Sequence, residues 1–253
     1  MGFAMTNIPK FLNCRNGSTI AYHKIIGKEP NIVFLGGYMS DMDGTKAIFF
    51  QNHCQKHGLS YLRFDYSGHG RSSGEFITGT IKQWSDDAIC VIDQLTQGPL
   101  ILVGSSMGGW IMMLVALARP ERIKGLIGIA AAPDFTEQLM WNRFPAKIKK
   151  TLLREKIYYQ PTEYGDKPYP ITLNLIEDAR HNLILNKPIP IKCPVHLFQG
   201  QRDNTVPWQH AIQISKSIPT DNVTITFIKN GDHRLSREKD LRRIFNSIAK
   251  MSN

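Results

Sequence analysis

Ser106, Asp203 and His233 are the side chains with which this chain could carry out acyl transfer. A serine hydroxyl is a poor nucleophile until a base takes its proton, and the usual base is a histidine oriented by a carboxylate. Ser106 lies at the centre of Gly104-Ser105-Ser106-Met107-Gly108, a G-x-S-x-G pattern between the apolar runs 100–103 and 111–118. Such a pattern reads as a sharp strand-to-helix turn that exposes the serine, with glycines where side chains would collide with the neighbouring strand and helix. Alone, the pattern is common, and a glycine-rich turn without chemistry is the alternative. The strand before it and the helix after it favour a nucleophile.

The base should follow the last strand if the order is serine, acid, histidine. His233, in NGDHR, stands four residues beyond Lys229 at the end of VTITFIK. The other seven histidines fit less well and read as structural: His23, His53, His57 and His69 precede the serine, His181 lies in a later insertion, His196 in a strand and His210 in a helix. His53 and His57 have the spacing of a zinc-binding H-E-x-x-H, but Cys54 replaces the glutamate, so no metal site is expected. For the acid, Asp203 occupies the loop GQRDNTVP after a strand; Asp134, after the preceding strand, is the alternative, and Asp232 reads as a turn residue. The tetrahedral intermediate also needs backbone donors aimed at its oxyanion, and the natural ones are the N–H groups of Tyr38 and Met107.

The elements that must position these residues alternate. An Asn16-Gly17 hairpin joins two strands over 10–26, a strand over 31–35 runs into Gly36-Gly37-Tyr38, and a helix over 43–57 precedes a strand over 60–65. A helix over 80–96, the central strand, the helix to Ala118 and a strand over 124–130 follow. After an interruption come a strand over 194–200, a helix from Pro207, a strand over 223–229 and a final helix from Arg237. This order predicts a single α/β domain with a mostly parallel sheet covered on both faces and ligands beyond the carboxyl ends of its strands. The interruption, residues 134–190, is long and aromatic, with Trp141, Phe144, Tyr158, Tyr159, Tyr164 and Tyr169 among helical pieces and prolines, and reads as a cap over the site. Over 143–156 it carries six cations against Glu155, which suggests a membrane-surface or anionic-substrate contact; a solvated helix face is the plainer alternative.

Composition narrows the partners. The 253 residues are 42% hydrophobic and 21% charged, with a net charge of +10 and no apolar run long enough to span a bilayer, so no stable membrane insertion is expected. The basic balance would suit nucleic acid, but no RNP, helix-turn-helix or zinc-finger pattern accompanies it. The loop YSGHGRSSG lacks the third glycine of a dinucleotide fingerprint. Cys14, Cys54, Cys90 and Cys193 form no C-x-x-C, so neither a metal cage nor a disulfide framework is indicated. MGFAMT matches a myristoylation pattern formally, without a following basic cluster, and no targeting segment is recognised; the expectation is a cytoplasmic enzyme. Oligomeric state is not legible.

With Ser106, Asp203 and His233 placed, the chain resembles the α/β-hydrolases over essentially its whole length. GSSMGGW, FDYSGHGRS, DNTVPW, DHR and, in the insertion, LIEDARHNLIL and KPIPIKCPV resemble the branch of mitochondrial palmitoyl-protein thioesterases that also act as acyl-glucuronide esterases. Two departures are Gln199-Gly200, where His-Gly is often found, and the lack of a recognisable mitochondrial presequence. The resemblance implies hydrolysis of acyl thioesters or esters without a cofactor: Ser106 as nucleophile, His233 as base and Asp203 as acid, acting on a small molecule or acylated protein with an apolar acyl group. Dehalogenases and epoxide hydrolases of this fold need a carboxylate where this chain has Ser106. A serine peptidase and a non-catalytic binding protein are the alternatives.

Overall fold

Alternation within the apolar strands decides the architecture. A computed structural model describes residues 8–162 and 168–252; MGFAMT and Tyr164 lie outside the described residues. In the central strand β5 (Leu100–Ser105), Leu100 and Leu102 join one buried cluster, Ile101 and Val103 the other. Strand β3 (Lys28–Leu35) divides in the same way, Val33 and Leu35 against Ile32 and Phe34. Because successive side chains point to opposite faces, a continuous apolar run marks a strand covered on both sides.

The remaining strands are β1 (Lys10–Asn13), β2 (Thr19–Ile25), β4 (Leu59–Phe64), β6 (Ile123–Ile129), β9 (Val195–Gly200) and β10 (Val223–Ile228), together with the ribbon β7 (Ile157–Gln160) and β8 (Tyr169–Thr172). The main sheet runs β1-β2-β4-β3-β5-β6-β9-β10; β1 and β2 pair antiparallel to their neighbours, all others parallel. The helices are α1 (Thr45–Lys56), α2 (Ile81–Leu95), α3 (Met107–Ala118), α4 (Ala146–Glu155), α5 (Leu173–Arg180), α6 (Trp208–Ser217) and α7 (Glu238–Ser252). Buried residues of α1 and α7 pack on one face of the sheet, those of α2, α3 and α6 on the other. The chain proceeds outward from β3 to β4 and then returns to β5 on the other side of β3. That reversal opens a crevice beyond the ends of β3 and β5, where Tyr38 and Ser106 stand.

Two features correct the sequence expectations. Cys14 and Cys90 form a disulfide, with Cα atoms 6.1 Å apart and a sequence separation of 76. No local motif announces it; the pairing exists only because the first hairpin packs on α2. Asp87, one helical turn before Cys90, reinforces that junction by accepting from Ser67 N (2.9 Å), Ser67 Oγ (2.6 Å) and Ser18 Oγ (3.3 Å). Cys54 and Cys193 are free. Second, the insertion between β6 and β9 is not only helical. It holds a π turn (Thr136–Met140), a 3-10 turn (Trp141–Arg143), α4, the antiparallel β7–β8 pair and α5. The β-favouring residues Ile157, Tyr158, Tyr159, Tyr169 and Ile171 account for the ribbon.

The loop after β4 carries a buried histidine with a consequence for stability. His69 is enclosed edge-on by Tyr66, Phe76 and Trp84 and its Nδ1 meets Ser67 O at 3.3 Å. Burial pushes its pKa down to about 4, well under the usual histidine value. A folded-state pKa below the unfolded one means that the unfolded chain binds the extra proton first, so stability is lost as pH falls through the unfolded value of about 6.5 and continues to fall until about 4. Denaturant unfolding at pH 7 and pH 5 should show a wild-type loss exceeding that of His69→Gln by about 2 kcal/mol. Equal losses in the two proteins would remove His69 from the acid response.

Candidate active site

Ser106 is held between β5 and α3 in a conformation that few residues adopt, with φ 54° and ψ −120°. Its N–H donates to Ile129 O at the end of β6 (2.9 Å), and its carbonyl accepts from Gly109 N (2.8 Å) and Ala132 N (3.0 Å). The flanking glycines permit this. A Cβ on Gly104 would overlap the Gly108 carbonyl, and one on Gly108 would overlap the carbonyls of Leu35 and Gly36. The turn therefore lies pressed against β3, and the strained serine persists because strand, helix and neighbouring strand over-determine it.

The structure brings Ser106, His233 and Asp203 together. His233 Nε2 stands 3.1 Å from Ser106 Oγ and its Nδ1 2.8 Å from Asp203 Oδ2. A carboxylate only accepts, so the proton belongs on Nδ1, leaving Nε2 to accept from the serine hydroxyl. Asp203 is fully buried at its side chain and its other oxygen accepts from Thr205 N and Val206 N, each at 2.8 Å. Gln199, which sequence reasoning treated only as a departure, donates from Nε2 to Asp203 Oδ2 (3.1 Å) and Val206 O (3.0 Å). It pins the carboxylate from below, at the end of β9. The signal available was its place four residues before Asp203 at a strand's carboxyl end.

Asp134 does different work. Its two oxygens accept from Ile184 N and Leu185 N, both at 2.9 Å, so it ties the two ends of the insertion together. Asp232 accepts from Leu235 N (2.9 Å) as a turn residue. Among the histidines only His233 lines the cavity; His210 donates to Pro133 O, His196 stacks on Phe198, and His53 and His57 pack on Phe245. Among the described residues no group of three or more His, Cys, Asp or Glu could hold a metal, and no helix is long and apolar enough to cross a membrane.

The loop after β3 passes beside the serine, with Gly37 against Ser105 and Ser106. Neither Tyr38 N–H nor Met107 N–H has an acceptor among the described residues. The Tyr38 ring is wedged edge-on between Phe76, Trp84, Phe135 and Tyr169, and its hydroxyl donates to Pro170 O in β8. Further along the loop, Met42 and Asp43 are held from β4 and the turn after it: Asp65 accepts from Met42 N (2.7 Å) and Arg71 N (2.9 Å), while the buried Arg63 donates to Met42 O (2.6 Å) and pairs with Asp43 (2.6 Å). FDYSGHGRS is thus the buttress of the loop that carries Tyr38.

Over the serine opens a cavity of about 860 Å³. Phe135, Leu139, Met140, Phe144, Ile148, Tyr158 and Tyr169 from the insertion line it, with Tyr38 and Met39 opposite. Its charged lining among the described residues is Lys46, Arg143 and Arg234 against Asp41. Lys46 donates to Arg234 O (2.8 Å), and burial together with the Arg234 charge pushes its pKa down to about 8.

The family model described as serine aminopeptidase, S33, matches residues 28–168. The palmitoyl-protein thioesterase ABHD10, mitochondrial, of Bos taurus is 38% identical over 239 residues, 94% of this chain and 78% of the relative. A hydrolase of Agrobacterium vitis S4, known as a crystal structure, superposes with a TM-score of 0.93 at 36% identity over 97% of this chain and 98% of its own. Alpha/beta hydrolase domain-containing protein 10 from mouse superposes with a TM-score of 0.90 at 36% identity, over 96% of this chain and 97% of that one. The relatives' names overturn the expectation of a cytoplasmic enzyme, since ABHD10 is named mitochondrial. That expectation rested on finding no recognisable address, and an address is not part of the catalytic fold. By these likenesses the chain belongs to the α/β-hydrolases, in the serine aminopeptidase S33 family and its ABHD10-like branch, and is a hydrolase of the esterase and thioesterase class.

Proposed function

We propose that the chain hydrolyses acyl thioesters or esters with apolar acyl groups, palmitoylated protein or acyl glucuronide being the candidate substrates, through Ser106, His233 and Asp203. The observation that carries this is the run of hydrogen bonds from Ser106 Oγ through His233 to Asp203 at the floor of an aromatic cavity. Ser106 Oγ attacks the carbonyl as its proton passes to His233 Nε2. Asp203 stabilises the imidazolium, and His233 returns the proton to the departing thiolate or alkoxide. Water then attacks the acyl-enzyme with His233 again as base. The N–H groups of Tyr38 and Met107 receive the oxyanion; that both lack an acceptor among the described residues supports this role. Residues 134–190 act as the cap, whose aromatic side chains hold the acyl chain and exclude water. No cofactor enters the scheme. The mitochondrial designation of the relatives belongs to the same proposal.

An aminopeptidase, which the family description names, is the second reading. It must hold a peptide's α-ammonium, and three cations against Asp41 among the described cavity residues oppose that.

Ser106→Ala should abolish fluorophosphonate labelling and lower kcat on acyl thioesters by about 10⁴-fold or more; undiminished labelling would refute the nucleophile. Asp203→Asn should cost about 10⁴ in kcat. Asp134→Asn should leave kcat within about tenfold while lowering unfolding free energy by about 1 to 3 kcal/mol, because a buried acceptor pair is weakened. A greater kcat loss at Asp134 would reverse the assignment. Tyr38→Phe removes the tether to Pro170 and should lower kcat about tenfold, or ~1.4 kcal/mol, and weaken a boronic-acid transition-state analogue by a similar factor while KM changes little.

A further inference from the structure

The outer face of α4 is a basic surface with apolar residues set into it, on the element that also covers the cavity. The inner face is settled: Leu152 is buried against Ile171 and Ile176, with Phe144, Ile148 and Tyr158 beside them. Phe144, Ile148 and Tyr158 also line the cavity. The outer face presents Lys147, Lys150 and Arg154, all exposed and spaced three and four residues apart. Lys147 and Lys150 have no carboxylate partner among the described residues; Arg154 pairs with the adjacent exposed Glu155. Arg143 and Lys156 flank the helix. Leu153 stands among these cations with 54% of its surface exposed, and Tyr159 in β7 is 56% exposed.

We infer that this face docks on an anionic membrane surface, as a peripheral contact rather than an insertion. Lysine and arginine placed along one helical face meet lipid phosphates, each contributing about fivefold in partitioning near an anionic leaflet. Leucine and tyrosine between them enter the boundary between headgroups and acyl chains. A purely acidic protein partner would use the cations but has no comparable need for an exposed Leu153. Docking by α4 sets the covering of the cavity against the bilayer, the phase in which a long acyl chain resides. Only this use of the surface rests on the hydrolase proposal; the contact itself is independent of turnover.

The test is flotation of the full chain with phosphatidylcholine vesicles, with and without about one quarter phosphatidylglycerol, at about 50 mM and about 500 mM NaCl. Binding is expected to the anionic vesicles at low salt and to fall about tenfold or more at high salt. The triple variant Lys147→Gln, Lys150→Gln, Arg154→Gln should bind about tenfold less or weaker still, Leu153→Ser should bind less, and Lys147→Arg with Lys150→Arg should bind as wild type. Hydrolysis of a soluble short-chain ester should be unchanged in all of them, which separates this inference from the triad. Absent binding to anionic vesicles at low salt, binding undiminished in the triple variant, or retention on polyglutamate alone would overturn it.

Discussion

The crowding of β5 and α3 against β3 is the constraint on which the site depends. Gly104 and Gly108 let carbonyls approach where any side chain would intrude, and that approach leaves Ser106 at φ 54° with its hydroxyl facing the cavity. The same closeness brings the loop after β3 to the serine, so one steric fact positions both Ser106 and the loop that carries Tyr38. Remove the closeness and the two would separate together. The strain is supported by three backbone hydrogen bonds, to Ile129, Gly109 and Ala132, which join the ends of β5, β6 and α3.

Asp203 solves a different problem. A fully buried carboxylate is costly unless its oxygens are satisfied, and here the Thr205 and Val206 amides take one while His233 and Gln199 share the other. The carboxylate is immobilised by its own loop and by the strand behind it, and it passes that immobility to the His233 ring. Orientation of the imidazole thus derives from β9, although His233 itself stands in a loop after β10.

Much of this was legible in the sequence because the signals are local. Continuous apolar runs marked strands with two covered faces, the Asn16-Gly17 turn marked the first hairpin, and Ser106 stood in G-x-S-x-G between two apolar runs. Asp203 and His233 could be placed because chain order and strand ends limit where a partner can lie. What escaped is what only packing creates. Cys14 meets Cys90 because a hairpin rests on a helix, Gln199 matters because of the loop that folds back over it, and the ribbon of β7 and β8 arises within a stretch whose prolines and tyrosines have no clear period. Between Asp134 and Asp203 residue type could not decide; both follow strands, and only the partners of their oxygens distinguish them, the Ile184 and Leu185 amides for one and the His233 ring for the other.

The Asp134 clamp has a mechanical corollary. The insertion leaves and re-enters the sheet layer at nearly one point, fastened by a single carboxylate to Ile184 and Leu185, so the segment between hangs from one junction beside β6. A displacement of that segment would therefore load these two hydrogen bonds before it reached the pairing of β6 with β9.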